Sequence, residues 1–291
     1  MSRVLRLEEL RPGQLKRALQ RRPALVLPVG TIEWHSHHLP LGLDGIKALA
    51  IAERVAGKTR SVLAPVSYWA AGGVPYPYTL HLDRGQCREL YSALLLEFAN
   101  MGFGTILLVN GHFGLSQSLA AREAAIACMN SSKSTVLVFA EYEVLLDVGD
   151  RGDHAGRWET SLLWASRPAL VGVRSLASAR PLPGVIGDGP RSAGTGRALG
   201  RKGLDLAATR MAAAVLRAAG ESRTERRAYL RSIGTAVDAL ERIERIRMDG
   251  PGSKAPPVLT PTWIQHLTAA WAGDYHAAAI YARKKARDPW A

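Results

Sequence analysis

Three short apolar runs, two of them followed by a stretch of helical periodicity, set the architecture of this chain. Residues 24–29, 105–109 (Thr-Ile-Leu-Leu-Val) and 135–139 are uninterrupted apolar segments of strand length. Such runs, without polar alternation, belong to strands buried on both faces. The first is closed by Gly30 and the second by the turn Asn110-Gly111-His112. Segments 45–56 and 116–129 follow with apolar residues at helical spacing, and Asp83 is placed to cap a third helix reaching about Met101. Strand and helix in alternation imply right-handed crossovers and a mostly parallel sheet. The expected fold class is therefore α/β, a three-layer α/β/α arrangement, with residues 61–66 supplying a further short strand.

The loops at the ends of these runs carry the chemistry. After the first run, Glu33, His35, His37, His38 and Asp44 stand within a span of twelve residues. Imidazoles and carboxylates together are the donor set of a borderline divalent cation such as zinc, manganese or iron. Burying so many polar groups costs free energy unless something binds them. Open α/β sheets hold ligands beyond the carboxyl ends of their strands, which is where these residues fall. His112, after the second apolar run, falls at the same edge. A third loaded segment is Gly152-Asp153-His154-Ala155-Gly156-Arg157-Trp158-Glu159-Thr160-Ser161, with Glu159 close to the start of a helix. Three loops distant in sequence should thus meet in space.

Bulk properties narrow the remaining classes. A length of 291 residues can bury one large core, or one core with an appendage. No apolar run approaches the ~20 residues that span a bilayer, and the first twenty-odd residues alternate leucines with charges rather than forming a signal core. A cytoplasmic location is expected, with Cys87 and Cys128 as reduced core thiols. The net charge of +13 comes from arginine spread along the chain. No run interleaves basic residues with aromatics, so nucleic acid is not the expected partner. Residues 69–80, rich in glycine, proline and aromatics, read as a pocket wall or subunit contact. Residues 13–22 read as a short basic helix, 203–219 and 221–248 as helices, 251–257 as a linker and 262–285 as one final amphipathic helix. Gly194, Gly196 and Gly200 lack the spacing of a dinucleotide fingerprint, and their stretch reads as a loop at the site edge or a subunit interface.

Taken together, the three loaded segments resemble the creatininase family of metal-dependent amidohydrolases. The family's Glu-x-His followed by His-Leu-Pro and Asp is matched by Glu33, His35, His38-Leu39-Pro40 and Asp44. Its Asn-Gly-His turn is matched by Asn110-Gly111-His112, and its His-(Ala/Gly)-Gly-x-x-Glu-Thr-Ser motif by residues His154 to Ser161. The resemblance runs from about Leu25 to about Leu216. It implies a creatininase-like domain over residues 1–220, with 221–291 as a helical C-terminal extension, and a homo-oligomer, often a hexamer.

The resemblance also implies a centre of two divalent ions per subunit. Glu33, Asp44 and His112 would hold one, with Asp44 bridging to a second held by His35. Creatininase itself has a glutamate two residues after the turn histidine; here Gly114 stands there, and Glu159 is the proposed substitute. Phe113-Gly114-Leu115 replaces a more polar Gly-Gly-Asn, which suggests a more apolar substrate. Ser36-His37 replaces Gly-Pro, and His37 is expected to act as a neutral donor behind the ligands. The implied reaction is hydrolysis of a C–N amide bond, cyclic or linear and non-peptide, in a small-molecule substrate by a metal-activated water. His154 would protonate the leaving nitrogen and Glu159 would share the catalytic work. Trp69, Tyr76, Phe113 and Trp158 are the expected substrate contacts. An amide-forming or cyclising enzyme, and a catalytically silent basic binding protein, are the alternatives.

Overall fold

A computed structural model describes residues 4–21, 23–249 and 255–291. The elements run β1 (Leu5–Arg6), α1 (Pro12–Leu19), β2 (Leu25–Val29), α2 (Leu43–Thr59), β3 (Val62–Leu63), α3 (Arg84–Asn100), β4 (Thr105–Asn110), α4 (Leu115–Ser131) and β5 (Thr135–Ala140). They continue as α5 (Arg157–Ser166), α6 (Val173–Ala177), α7 (Arg197–Gly220), α8 (Arg223–Asp249), α9 (Pro261–Ala272) and α10 (Tyr275–Arg287). The five strands form one sheet in the order β1-β3-β2-β4-β5, every pair parallel. β2, β4 and β5 are buried at every position, as their unbroken apolar runs require.

The strand order decides where a ligand can sit. From β2 the chain crosses through α2 to β3 on one side, whereas from β4 it crosses through α4 to β5 on the other. Right-handed crossovers in opposite directions put α2 and α4 on opposite faces. Accordingly α2 packs with α5 and α7 in one layer, and α4 packs with α3 and α8 in the other. A crevice therefore opens beyond the carboxyl ends of β2 and β4, at the switch point of the sheet.

Two glycines let the crevice close tightly around α2. A Cβ on Gly30 would lie 2.1 Å from the Gly45 amide nitrogen, and one on Gly111 would lie 2.1 Å from the Asp44 carbonyl oxygen. The first turn of α2 thus rests directly on the ends of β2 and β4, and Asp44 is in that turn. Both glycines are needed for this close backbone approach rather than for a turn.

Several expected elements take a different form. The strand expected over 61–66 is only two residues long, because Pro65 has no N–H to continue the ladder. The single helix expected over 262–285 is two, separated by Gly273 at φ +92° with Asp274 capping the second. The 194–200 stretch runs into α7, and Gly200 lies against the Ser161 carbonyl, where α7 meets α5. Helix 13–22 is α1, with Arg22 outside the described residues; so are residues 251–254 of the expected linker. Cys87 and Cys128 are free and buried. α8 lies against α4, and its Tyr229 and Ile233 join the main core with Tyr275 of α10.

Candidate metal centre

The loop after β2 delivers Glu33 and His35, the first turn of α2 delivers Asp44, and the turn after β4 delivers His112. Asp44 carries its two oxygens to different histidines: Oδ1 is 3.2 Å from His35 Nε2 and Oδ2 is 3.1 Å from His112 Nδ1. Glu33 Oε2 stands 3.0 Å from the same His112 nitrogen, while its Oε1 accepts the Val74 N–H at 2.6 Å. Glu159, in the first turns of α5, brings Oε2 to 3.6 Å from His35 Nε2. Side chains 33, 35, 44, 112 and 159 are all buried. Glu33, Asp44 and His112 form one group whose ligand atoms lie within 4.8 Å of one another; His35, Asp44 and Glu159 form a second, and Glu33, His35 and His154 a third.

Backbone strain aims the histidines. Ser36, at φ +60°, reverses the chain so that His35 faces the sheet end and His37 is exposed. Ala155, at φ +49° and fully buried, does the same between His154 and the helix that carries Glu159. Left-handed non-glycine residues cost of order 1–3 kcal/mol, and here they flank the ligand groups. Asp153 then caps the start of α5, accepting the N–H of Trp158 at 2.6 Å and of Glu159 at 3.2 Å.

The electrostatics are those of an anionic cavity made for a cation. His35 Nδ1–H donates to the Glu33 carbonyl at 3.0 Å, so in the neutral ring the Nε2 lone pair faces the Asp44 and Glu159 carboxylates. That nitrogen and Glu33 Oε2 are buried without a hydrogen-bond partner. Burial alone would lower both imidazoles, but Asp44 and Glu159 raise His35 to about 9, and Asp44 and Glu33 raise His112 to about 10. Protons stand in there for a positive charge the site requires. Conversely, against the cost of burial, His35 and His112 hold the Asp44 carboxyl well below its ordinary value. The residues present therefore fit a divalent cation. Burial, then the His35 charge, lowers His38 to about 4, and its neutral Nε2 lies 3.0 Å from Thr160 Oγ1.

Two groups absent from the sequence reading sit in the same cluster. Lys47, three residues after Asp44 and fully buried, ion-pairs with Glu159 and with Glu141 at 2.6 Å, and lies 4.5 Å over the Phe113 ring. Burial, outweighing the nearby Lys47, pushes the Glu141 carboxyl up to about 7. Lys47 had a signal: it falls on the same α2 stripe as Asp44, Ala48 and Ile51, where a lysine needs buried partners. Glu141 had none, since it lies beyond a strand end with no motif around it.

The remaining site residues are placed as follows. His154 stacks on His35 at 4.4 Å, donates from Nε2 to the Trp34 carbonyl at 2.8 Å, and has Nδ1 4.0 Å from Glu33 Oε2. Tyr76 stacks on Trp34 at 5.7 Å, and Trp34 donates its indole N–H to the Pro183 carbonyl. Phe113 lies between Lys47 and Tyr142. Trp69 is 52% exposed, whereas Trp158 is a core residue, 4% exposed, whose indole N–H donates to the Gly149 carbonyl. His37 is not behind the ligands as expected. It is exposed and edge-on to Trp34 at 5.1 Å, because the reversal at Ser36 turns it outward.

Comparison with known proteins identifies the family. The model of the creatininase family, described as creatinine amidohydrolase, matches residues 8–219. The chain belongs to the creatininase family. Curated relatives include a creatinine amidohydrolase of Pseudomonas putida, 29% identical over 170 residues that cover 50% of this chain and 65% of the relative. A mycofactocin precursor peptide peptidase of Mycolicibacterium smegmatis is 33% identical over 152 residues, covering 48% of this chain and 57% of the relative. The chain thus spans less than two thirds of the length of these relatives. A solved creatinine amidohydrolase superposes with a TM-score of 0.62 at 22% identity, over 74% of this chain and 97% of that one, which shows the shared fold. Other solved creatininases of the same TM-score are described as a Zn-Zn type and as a Mn form. Among the described residues, no helix is long and apolar enough to cross a membrane.

Proposed function

We propose that this chain is a metal-dependent amidohydrolase that cuts a C–N amide bond, cyclic or linear and non-peptide, in a small molecule. The observation that carries the reading is the group Glu33, Asp44 and His112. Their facing atoms lie 3.0 and 3.1 Å apart across the end of the sheet, shielded from solvent. These residues would hold a divalent ion, with His35 and Glu159 facing the other Asp44 oxygen. The ion, zinc, manganese or iron by donor type, supplies Lewis acidity toward a water and the scissile carbonyl.

The chain's own groups do the rest. Val74 N–H fixes the Glu33 carboxylate, and the Glu33 carbonyl fixes the His35 ring. Because His154 donates from Nε2 to Trp34, its Nδ1 lone pair faces the cluster and would take a proton from the attacking water before giving it to the leaving nitrogen. Glu159, anchored by Lys47 and by the Ala155 N–H at 2.7 Å, presents a fixed carboxylate beside the reacting position. Trp34 with Tyr76 on one side and Phe113 on the other would bound the substrate. A cavity of about 380 Å³ adjoins Phe113 and Gly114; it is walled by Leu240, Val258 and Trp263 and also by the charged Arg122, Glu143, Arg151 and Arg247.

The relatives' descriptions span creatinine and a precursor peptide, which supports amide cleavage as the shared chemistry. A homo-oligomer is supported by the exposed Trp69, Tyr78 and Leu80 of one loop. The test is paired metal analysis and amide hydrolysis on wild type, Glu33→Gln and His112→Ala. Each variant should lose most bound metal and at least ~10²-fold in hydrolysis of any amide the wild type cuts. Wild-type metal content in both variants would refute the assignment.

A further inference from the structure

The two ligand groups on either side of Asp44 are not equivalent, and Lys47 is the reason. The first group, at Asp44 Oδ2, consists of Glu33 and His112 and has no lysine contact. The second, at Asp44 Oδ1, consists of His35 and Glu159, and both of its carboxylates are shared with an ammonium. Lys47 Nζ ion-pairs with Glu159 Oε1 and lies 3.8 Å from Asp44 Oδ1, the oxygen that faces His35. Glu159 Oε2, the atom left to coordinate, already accepts the Ala155 N–H at 2.7 Å. Gly114, two residues beyond His112, offers no side chain to replace it.

Nor can the lysine withdraw. Its side chain is fully buried, Glu141 holds Nζ at 2.6 Å, and the Phe113 ring lies 4.5 Å away. A divalent ion bound to Asp44 Oδ1 and Glu159 Oε2 would sit next to this ammonium with no solvent to screen the repulsion. Lys47 itself meets the need for positive charge there, since it ion-pairs closely with Glu159 and Glu141 and lies 3.8 Å from Asp44 Oδ1.

We propose that this chain holds one divalent ion per protomer, at Glu33, Asp44 and His112, and that the Lys47 ammonium takes the place of a second. The proposal rests on the metal-centre reading above and replaces the two-ion count with a metal–ammonium pair bridged by Asp44. Glu159 is then a positioning carboxylate held by Lys47 rather than a ligand.

Equilibrium dialysis of the full chain against Zn²⁺, followed by elemental analysis, reads the stoichiometry directly. Wild type and Glu159→Gln should both saturate at one equivalent, and Lys47→Met, which frees Glu159, should rise to two. Two equivalents on wild type, with loss of one in Glu159→Gln, would overturn the proposal while leaving the metal centre standing. No equivalents on wild type would overturn the metal centre and this inference with it. A folded Lys47→Met that still saturates at one would show that Lys47 is not what excludes the second ion. Should Lys47→Met fail to fold, the Glu159→Gln comparison decides alone.

Discussion

Asp44 does at one residue what the whole site depends on: it gives each of its oxygens to a different imidazole. In the metal-free protein those imidazoles keep their protons to about pH 9 (His35) and about pH 10 (His112). Burial opposes this, but the carboxylates of Asp44, Glu159 and Glu33 outweigh it. An unfolded chain releases the same protons near pH 6.5. The raised values therefore stabilise the metal-free fold fully below about pH 6.5, and that contribution is lost as pH climbs through 9 and 10. A bound divalent ion must expel a proton from each histidine that ligates it, so metal affinity runs the other way. It should rise by up to ~tenfold per pH unit for each proton displaced while the histidine is protonated, and level off above about pH 9 to 10. Zn²⁺ titrations at several pH values read this slope, and a flat profile would count against protonated histidines in the metal-free cluster. At this scale the sequence was informative about ligand types. Glu33, His35, Asp44, His112 and Glu159 stand in motifs, and each is found at the sheet end. Lys47 and Glu141 stand in none, and Trp34 fills only the variable place between Glu33 and His35, because their importance comes from what they touch rather than from their neighbours in the chain.

Elements carry the ligands, and their spacing depends on close backbone approach. The first turn of α2 lies against Gly111 so closely that a methyl group there would meet the Asp44 carbonyl at 2.1 Å. Gly111→Ala should push α2 away from β4, destabilising the fold by about 1–3 kcal/mol and weakening metal binding through Asp44. Urea unfolding and Zn²⁺ dialysis on the variant check both parts; unchanged affinity with reduced stability would separate the helix position from the ligand geometry. Strands β2, β4 and β5 were legible because burial on both faces demands unbroken apolar runs. β1 was not, since Leu5–Arg6 is a two-residue edge strand with no periodicity to detect. The break between α9 and α10 had a visible cause in Gly273, yet the apolar stripe continues on both sides and masks it.

For the molecule as a whole, the residues beyond 220 add more than length. α8 lies in the same layer as α3 and α4, and Leu240, Val258 and Trp263 wall the cavity beside Phe113. The loop of Trp69, Tyr78 and Leu80, by contrast, is left open, with Tyr78 75% exposed. Light scattering of the purified chain should give a multiple of the 31.4 kDa protomer mass, and Trp69→Glu with Tyr78→Glu should lower it. A wild-type monomer at micromolar concentration would remove the oligomer from the proposal.

Residue types and their order along the chain were enough to determine a parallel α/β sheet and a donor set suited to a divalent cation, because strand burial and ligand chemistry are both written locally. Which carboxylate faces which imidazole was decided only by the tertiary structure. So was the presence of a lysine between Glu159 and Glu141, since Coulomb interactions among buried charges depend on distances that the order of residues does not contain.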